Sequence, residues 1–493
     1  MKKTSEPFDR MRPGRRIAVV VLLHLGLSAT PAAYADDAEL EQLRTDVAEL
    51  RRAYEARIGN LERRIEELET EQDNAPATPA KTMANTTSPP LASLSEEEQR
   101  SLIEKGLGAY DVSRGFNFHG YFRSGKGIDR DGNVMEPFQA PGSQAKYRLG
   151  NEGETYIETA FGYSFPELEL PANESFTITL RPAFVVPDER FGSTPQFSIR
   201  EAYAEGRGVW RAQPEAAFWA GERYYDRWDL HMNDFFYYDM SGFGGGVKDL
   251  QLGDFGKMAI AWLGGSIDVL ESNGSTLSNN VNTKNTLDVR FYDIEMPGGK
   301  GFVGFNLASS QDSEMPNGVN VVVNGSNGLA GFFGYEMPKI FGGRYKAMLQ
   351  YGVGAASNFR ATEPDYARLD PPDPPADPLM VDLGESWHLR LVNDLVIEPT
   401  DKLSLQAALI YDEFDAGIEG PSKRRWVSLG VRPIHAFNDF FSLAVEAGVD
   451  HTGGDGLESG ELYKLTIAPQ ITPGKGYFKR PAIRMFFTYA SWS

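Results

Sequence analysis

The chain has 493 residues, and 49 Lys and Arg against 69 Asp and Glu give it a formal net charge of −20. This charge argues against nucleic-acid binding, because phosphate backbones are recognised by basic surfaces. The absence of cysteine excludes disulfides, thiolate nucleophiles and cysteine-ligated metals. Aromatic residues make up 12% of the chain, yet its mean hydropathy is −0.38. This combination is typical of membrane β-barrels, in which lipid-facing and lumen-facing residues alternate.

Residues 1–35 have the features of a secretory signal peptide. Four arginines between positions 10 and 16 precede an apolar stretch at 17–29, and Ala33-Tyr34-Ala35 forms an A-x-A cleavage site. The alternative, a membrane anchor, needs about 20 apolar residues, more than this stretch supplies. We therefore expect residues 1–35 to direct export of the chain.

Residues 36–73 are predicted to form a coiled-coil stalk, followed by a tether at 74–114. Apolar residues recur at three- and four-residue steps, as in a coiled-coil seam: Leu40, Leu43, Val47, Leu50, Tyr54, Ile58, Leu61, Ile65 and Leu68. This pattern favours oligomerisation over a lone amphipathic helix. The tether is rich in Pro, Ala and Thr, which do not bury a core, and it contains one short predicted helix near its end.

From residue 115 to the C-terminus the apolar period changes to two. Leu403, Leu405 and Ala407 alternate with Ser404 and Gln406, which predicts a strand with one apolar and one polar face. The pattern recurs, with short turns and long polar loops in alternation, as in outer-membrane barrels. The alternative is a soluble β-sandwich, which does not need so many amphipathic strands beside an export signal. We expect residues 115–493 to form a transmembrane antiparallel β-barrel.

Rings and charges share the polar face of several predicted strands. Tyr121 and Arg123 are two residues apart, as are Tyr156 and Glu158, so each ring lies beside a charge. Sugar rings have apolar faces that stack on aromatic rings, and their hydroxyls bond charged side chains. These pairs therefore favour a carbohydrate ligand, although aromatic girdles occur on any barrel.

The sequence resembles the maltoporin and sucrose-porin family from about residue 115 to 493. The resemblance rests on five segments: 118–125, 146–156, 219–242, 431–433 and 480–484. It implies a homotrimer of 18-stranded barrels in the outer membrane of a Gram-negative bacterium, with no cofactor and no enzymatic activity. Sugars would diffuse passively along a line of aromatic residues, the greasy slide, beside a polar track. The N-terminal extension resembles that of the sucrose-type members.

The resemblance also assigns residues to the slide and the track. Tyr121, Tyr156, Trp426 and Phe333 match slide positions, and Phe191 stands where the family has a tryptophan from a neighbouring subunit. The polar track maps onto the following residues: Arg123, Arg148, Glu158, Arg200, Arg227, Asp229 and Asp234.

The family's inward loop, which narrows the pore, corresponds to residues 226–239. Phe236 takes the place of a constriction tyrosine, and Asp239 closes the segment. The sequence ends where the resemblance would continue into a last strand. We therefore expect a truncated chain or a barrel that closes with an odd number of strands.

Other classes of function fit the sequence less well. Asp229, His231 and Asp234 lie close together, but no catalytic motif accompanies them. An envelope tether or receptor would need only the barrel as an anchor, and a general porin would lack the aromatic ladder. The sequence thus predicts a carbohydrate channel whose partners are oligosaccharides, outer-membrane lipid and two further copies of the chain. Through its coiled coil, peptidoglycan or a periplasmic protein is a further candidate partner.

Overall fold

The computed structural model describes most of the C-terminal region in eight segments. These are residues 115–165, 174–186, 194–267, 282–316, 320–362, 379–420, 422–455 and 457–493. The predicted signal peptide, coiled coil and tether lie outside the described residues. No helix in these segments is both long enough and apolar enough to cross a membrane.

The described residues fold into β-strands joined by turns, loops and a few single 3-10 turns. The strands are β1 (Gly115–Arg123), β2 (Thr155–Ser164), β3 (Ser175–Val186), β4 (Gln196–Arg207), β5 (Ala217–Arg223), β6 (Arg227–Leu230), β7 (Phe235–Asp239), β8 (Gly242–Gln251), β9 (Lys257–Ile267), β10 (Asn282–Met296), β11 (Gly299–Ser310), β12 (Ser313–Pro316), β13 (Asn320–Asn324), β14 (Asn327–Ile340), β15 (Gly343–Val353), β16 (Leu379–Asp382), β17 (Trp387–Thr400), β18 (Leu403–Asp415), β19 (Lys423–Ala436), β20 (Phe441–Gly454), β21 (Leu457–Ile471), β22 (Ile483–Arg484) and β23 (Phe487–Trp492).

Eighteen of these strands form one antiparallel sheet, in which the members from β1 to β21 pair successively in chain order. β6 and β7 form a separate hairpin, and β12, β13 and β16 form a small three-stranded sheet. β22 and β23 both pair with β21, so they lie one after the other along it. The predicted all-β fold with about 18 antiparallel strands is confirmed.

The large sheet has an apolar outer face and a polar inner face. In β18, Leu403 and Leu409 are exposed, whereas Ser404, Gln406 and Asp412 are buried. Because side chains alternate between the faces of a strand, one phase of each strand faces outward and the other faces inward. The alternation predicted for this strand is confirmed.

The sheet curves until its two end strands reach the same segment, residues 138–151. Arg148 of that segment donates to the Tyr121 hydroxyl in β1 at 2.8 Å. Thr488 in β23 donates to the carbonyl of Gly150 at 3.2 Å. Among the described residues, no ladder of backbone hydrogen bonds pairs β1 with β22 or β23.

The segment 138–151 packs against the inner face of the sheet through Tyr147. Its hydroxyl lies 2.8 Å from the Ser428 hydroxyl. Its ring lies on Gly430 and Gly448, which face each other across β19 and β20. A Cβ at either glycine would be 2.3 Å from a ring atom of Tyr147, so only glycine leaves room for the ring.

The connection between β5 and β8, residues 224–241, also folds against the inner face, and we call it the inward loop. It contains the β6–β7 hairpin and contributes six buried apolar side chains: Leu230, Met232, Phe235, Tyr237, Tyr238 and Met240. They pack on wall residues Phe302, Phe332, Met348, Val392, Ile410 and Trp426. Since each such side chain stabilises the fold by about 1.5–3 kcal/mol when buried, the inward loop is firmly fixed to the wall.

Three buried arginines of the wall hold the inward loop through polar contacts. Arg390 donates to the carbonyl of Tyr237 at 2.9 Å, and Arg432 donates to that of Met232 at 3.2 Å. Arg290 donates to the Tyr238 hydroxyl at 3.0 Å. Each guanidinium is also paired with a buried carboxylate of the wall, which compensates the cost of burying its charge: Asp412, Glu446 and Asp288, respectively.

Candidate functional site

Two tyrosines on the first two strands form a pair of neighbouring rings on the inner face. The ring centroids of Tyr121 in β1 and Tyr156 in β2 are 6.2 Å apart. The Arg123 guanidinium lies 4.9 Å from the Tyr156 ring centroid, within cation–π distance. Tyr121 is 39% exposed, so its ring is accessible to a ligand. We call Tyr121 and Tyr156 the ring pair.

A charge bridge connects the ring pair to the tip of the inward loop. Asp234 lies 3.2 Å from Arg148 and 3.6 Å from Arg123. Asp234 adopts a left-handed backbone conformation, with φ 52°. Asp tolerates this conformation better than most residues, and here it turns the carboxylate toward both arginines. The sequence-predicted residues Arg123, Arg148 and Asp234 are therefore brought together.

A second group of polar side chains surrounds Glu158 in β2. Glu158 accepts hydrogen bonds from the Tyr156 hydroxyl and, at 3.0 Å, from the Tyr224 hydroxyl. Arg181 of β3 lies 3.6 Å away and forms an ion pair with it. Since Tyr224 begins the inward loop, this contact is a further link between the loop and the wall.

Arg227 lies between two rings of the inward loop. Its guanidinium is 4.0 Å from the Tyr224 ring centroid and 3.7 Å from that of Phe236. It also forms an ion pair with Asp239 at 3.5 Å. The two predicted constriction residues, Phe236 and Asp239, thus share one arginine as a neighbour.

The structure also describes the two remaining predicted track residues, Arg200 and Asp229. Arg200 lines a cavity of about 630 Å³ together with Tyr224. Asp229 lies in β6 opposite Phe236 and is exposed. Phe191 lies outside the described residues.

Phe333 was expected on the slide, but the structure places it on the outer face of β14. It is 46% exposed there, whereas its neighbour Phe332 is buried on the inner face. The Phe332 ring centroid is 4.7 Å from that of Tyr238 in the inward loop. Because the two faces alternate residue by residue, a shift of one position exchanges them. The assignment of Phe333 to the slide is therefore wrong for this structure.

Trp426 lies on the inner face, as expected, but the inward loop covers it. It is 1% exposed. Its indole nitrogen donates to Asp450 at 2.9 Å, and its ring meets the Phe235 ring edge to face at 5.4 Å. In this structure the indole supports the inward loop and has no open face for a ligand.

Sequence reasoning missed several residues of the site. Tyr224 and Arg181 contact Glu158, and Glu152 and Glu154 form ion pairs with Arg123. Glu152 and Glu154 flank Gly153 just upstream of Tyr156, a signal that could have placed them beside the track. Nothing in the local sequence indicates that Arg181, 23 positions further on than Glu158, pairs with it, because that contact depends on strand pairing.

The loop turn at His231 contacts the turn between β21 and β22. His231 accepts a hydrogen bond from Arg480, with the two nitrogens 2.9 Å apart. Burial lowers the pKa of His231 well below its ordinary value, and nearby Arg148, Arg432, Arg480 and Arg484 lower it further. Among the described residues, no side-chain hydrogen bond joins His231 to Asp229 or Asp234.

The sheet has a polar inner face and an apolar outer face, and one of its loops folds inward beside the ring pair and its charged neighbours. This combination is the architecture of a porin. Residues 116–493 match the family model described as LamB porin, and the chain belongs to that family. It is therefore an outer-membrane channel.

Two solved structures align with most of the chain. The outer membrane channel DcaP of Acinetobacter baumannii is 12% identical, with a TM-score of 0.40, and the alignment covers 76% of this chain and 97% of that one. OmpF of Salmonella typhi, in a complex with daunomycin, is 10% identical, with a TM-score of 0.38. That alignment covers 78% of this chain and 99% of the OmpF chain.

Proposed function

We propose that this porin conducts oligosaccharides of the maltodextrin or sucrose class by passive diffusion. The observation that carries the proposal is the ring pair with its charge bridge. Tyr121 and Tyr156 present neighbouring rings, and Arg123, Arg148 and Asp234 lie directly beside them. Rings suit the apolar faces of a sugar, and the charged groups suit its hydroxyls.

The same contacts allow a sugar to move. Stacking on one ring stabilises a ligand by about 0.5–1.5 kcal/mol, which is too little to trap it. Guanidinium and carboxylate groups exchange hydrogen bonds with successive hydroxyls as the sugar advances. Binding at several weak sites in series is the usual requirement for selective conduction.

The polar track of this proposal runs from the ring pair along the inward loop. It comprises Arg123, Arg148, Glu158, Arg200, Arg227, Asp229 and Asp234, to which we add Tyr224 and Arg181. Phe236 and Asp239 form its narrow part, next to Arg227. Trp426 and Phe333 are left out, since one is covered and the other faces outward.

The proposal extends to the cellular setting. The leader predicted for residues 1–35 and the family support a Gram-negative outer membrane, where the apolar outer face would contact lipid. The coiled coil predicted for residues 36–73 supports a homotrimer with a stalk in the periplasm, where it could meet peptidoglycan or a protein partner.

Liposome swelling tests the proposal against its nearest alternative, a general porin. Proteoliposomes are diluted into isosmotic sucrose, maltose, maltotriose or a non-sugar solute of equal size. We expect faster swelling with the sugars than with the size-matched solute. Rates that depend on solute size alone would indicate a general porin.

A further inference from the structure

Arg480 and Arg484 are two neighbouring arginines without a carboxylate partner. Arg480 lies in the turn between β21 and β22 and is exposed, whereas Arg484 ends β22 and is half-buried. Arg484 stands opposite Gln470, a buried inner-face residue of β21, so its side chain lies on the inner face as well. Among the described residues, neither arginine forms an ion pair. Each therefore carries a positive charge that the surrounding protein does not compensate.

The charged groups around Arg484 do not supply the missing negative charge. Arg480 and Arg432 are close enough to Arg484 to repel it. The carboxylate of Glu446 pairs with both Arg432 and the buried Lys464, so it is occupied by two other cations. Like charges held together are unfavourable, and a bound anion would stabilise this cluster. The cluster stands out in a chain whose formal net charge is −20.

The guanidinium of Arg484 is fixed at one edge and open at the other. Its Nε donates to the side-chain oxygen of Gln470 at 2.9 Å. Its two terminal nitrogens make no hydrogen bond among the described residues, and solvent can reach them. The fork of N–H groups on a guanidinium matches two oxygens of a carboxylate, sulfate or phosphate. Arg484 therefore presents an unused pair of donors of the kind that recognises an oxyanion.

The turn between β21 and β22 holds Arg480 over the tip of the inward loop. Tyr477 anchors this turn, because it is 1% exposed, its backbone N–H donates to Glu398 at 2.8 Å and its hydroxyl donates to Gln406 at 2.6 Å. From this anchor Arg480 reaches His231, which is a neutral acceptor and supplies no negative charge. A guanidinium that is already held in place loses little freedom when a ligand binds.

The charge and the donors of the cluster favour a dianion with several oxygens. Two uncompensated guanidinium groups match the two negative charges of sulfate or of a phosphoryl group. Chloride has one charge and no pair of oxygens to engage the fork of Arg484. A cation would be repelled, and a neutral sugar has no charge to balance the two arginines.

We propose that Arg480 and Arg484 form an oxyanion site that binds the phosphoryl or sulfate group of a small dianionic solute. The inference adds a class of ligand to the neutral sugars of the proposed function and does not rest on it. Since the two arginines recognise the phosphoryl group itself, inorganic phosphate and a phosphorylated sugar are both sources of the ligand, and the experiment separates them.

The first test is isothermal titration calorimetry of the full-length protein in detergent, with sodium chloride keeping the ionic strength constant. The titrants are inorganic phosphate, sulfate, glucose 6-phosphate and glucose. We expect saturable binding of all three dianions. Tighter binding of glucose 6-phosphate than of phosphate would identify a phosphorylated sugar as the ligand, and binding no tighter than that of phosphate would identify the free anion. Absence of saturable dianion binding would overturn the site, as would equal affinities for glucose and glucose 6-phosphate.

Substitutions separate the fork of the guanidinium from its charge. Arg484→Gln should weaken phosphate binding about tenfold or more, and Arg484→Lys about three- to tenfold, because an ammonium keeps the charge and loses the fork. Arg480→Gln changes an exposed turn residue instead of a strand residue and should weaken binding about three- to tenfold. Arg130→Gln is the matched control, because Arg130 is an exposed arginine in the connection between β1 and β2.

Wild-type phosphate affinity in Arg484→Gln or in Arg480→Gln would overturn the site. A loss of equal size in Arg130→Gln would also overturn it, because that result indicates a general effect of charge. Sulfate should raise the thermal midpoint of wild type and of Arg130→Gln more than that of Arg484→Gln, and an equal rise in all three would indicate only a general salt effect. Failure of dianion binding would leave the sugar transport proposal standing, and failure of sugar block would leave the oxyanion site standing.

Discussion

Asp234 and Arg148 form an ion pair of 3.2 Å that joins the tip of the inward loop to the segment before β2. The same carboxylate lies 3.6 Å from Arg123. One loop residue therefore holds two cations beside the ring pair. Because Asn also accepts a left-handed backbone, the charge of Asp234 can be removed with little change in the loop conformation.

We expect Asp234→Asn to shift the channel toward anion selectivity. The substitution removes one negative charge from beside Arg123 and Arg148, which leaves their positive charges less compensated. The measurement is the reversal potential of single channels in a KCl gradient. Asp401→Asn, an exposed carboxylate at a turn, is the control. Equal reversal potentials for the two variants would show that Asp234 does not face the ion path.

We expect Tyr156→Ala to raise the half-saturation concentration for sugars up to about tenfold. The change removes one ring of the pair, worth about 0.5–1.5 kcal/mol, and the contact of that ring with Arg123. Tyr351→Ala, on the outer face of β15, serves as control. Similar half-saturation values for both variants, measured by current block, would remove Tyr156 from the sugar path.

We expect Phe236→Tyr to lower the half-saturation concentration for linear glucans two- to fivefold. The added hydroxyl would lie close to Arg227 and offer a sugar one more hydrogen bond, worth about 0.5–1.5 kcal/mol. Phe333→Tyr adds the same hydroxyl on the outer face and should change nothing. If Phe236→Tyr is also silent, Phe236 does not lie at the narrow part.

We expect Trp426→Ala to loosen the inward loop. Removing a fully buried tryptophan costs about 3–5 kcal/mol, and Phe235 would lose its support. The readouts are a lower thermal midpoint and larger, noisier single-channel currents. Trp262→Ala, at an exposed position on the outer face, should keep both close to wild type. Quiet currents and an unchanged midpoint in Trp426→Ala would contradict its role as a support.

We expect acidification to weaken the contact between the inward loop and the β21–β22 turn. The pKa of His231 is lowered in the folded state, so the unfolded chain binds more protons below about pH 6.5. Stability from this group is therefore present at neutral pH and falls as the pH decreases from about 6.5. The thermal midpoint of wild type should drop more between pH 7.5 and 5.5 than that of His231→Gln. Parallel curves would exclude this titration.

Much of the fold could be predicted from the sequence, because the period of two carries the burial pattern directly. The alternation in 403–411 matches the outer and inner faces of β18 residue by residue. The sequence does not show which residues of β14 face inward, because Phe332 and Phe333 are adjacent and place one ring on each face. Only the contact of Phe332 with Tyr238 decides between them, and that contact depends on how the inward loop folds.

The site was predictable where its residues lie in segments that resemble the family, and it was missed where a residue outside those segments makes a tertiary contact. Tyr121, Arg123 and Asp234 were identified from segments that resemble a known family, and they meet in the structure. The inner position of Trp426 was also foreseen, but not that Phe235 covers it. Sequence periodicity reports which face a residue occupies, and it carries no information on a loop that later packs on that face.

Current block in planar bilayers, with maltooligosaccharides and sucrose as titrants, tests the central claim most directly. The account predicts saturable block of the wild-type channel, with a higher half-saturation concentration in Tyr156→Ala. Stable conductance that no sugar blocks would contradict the claim that the ring pair and its charge bridge form a sugar path.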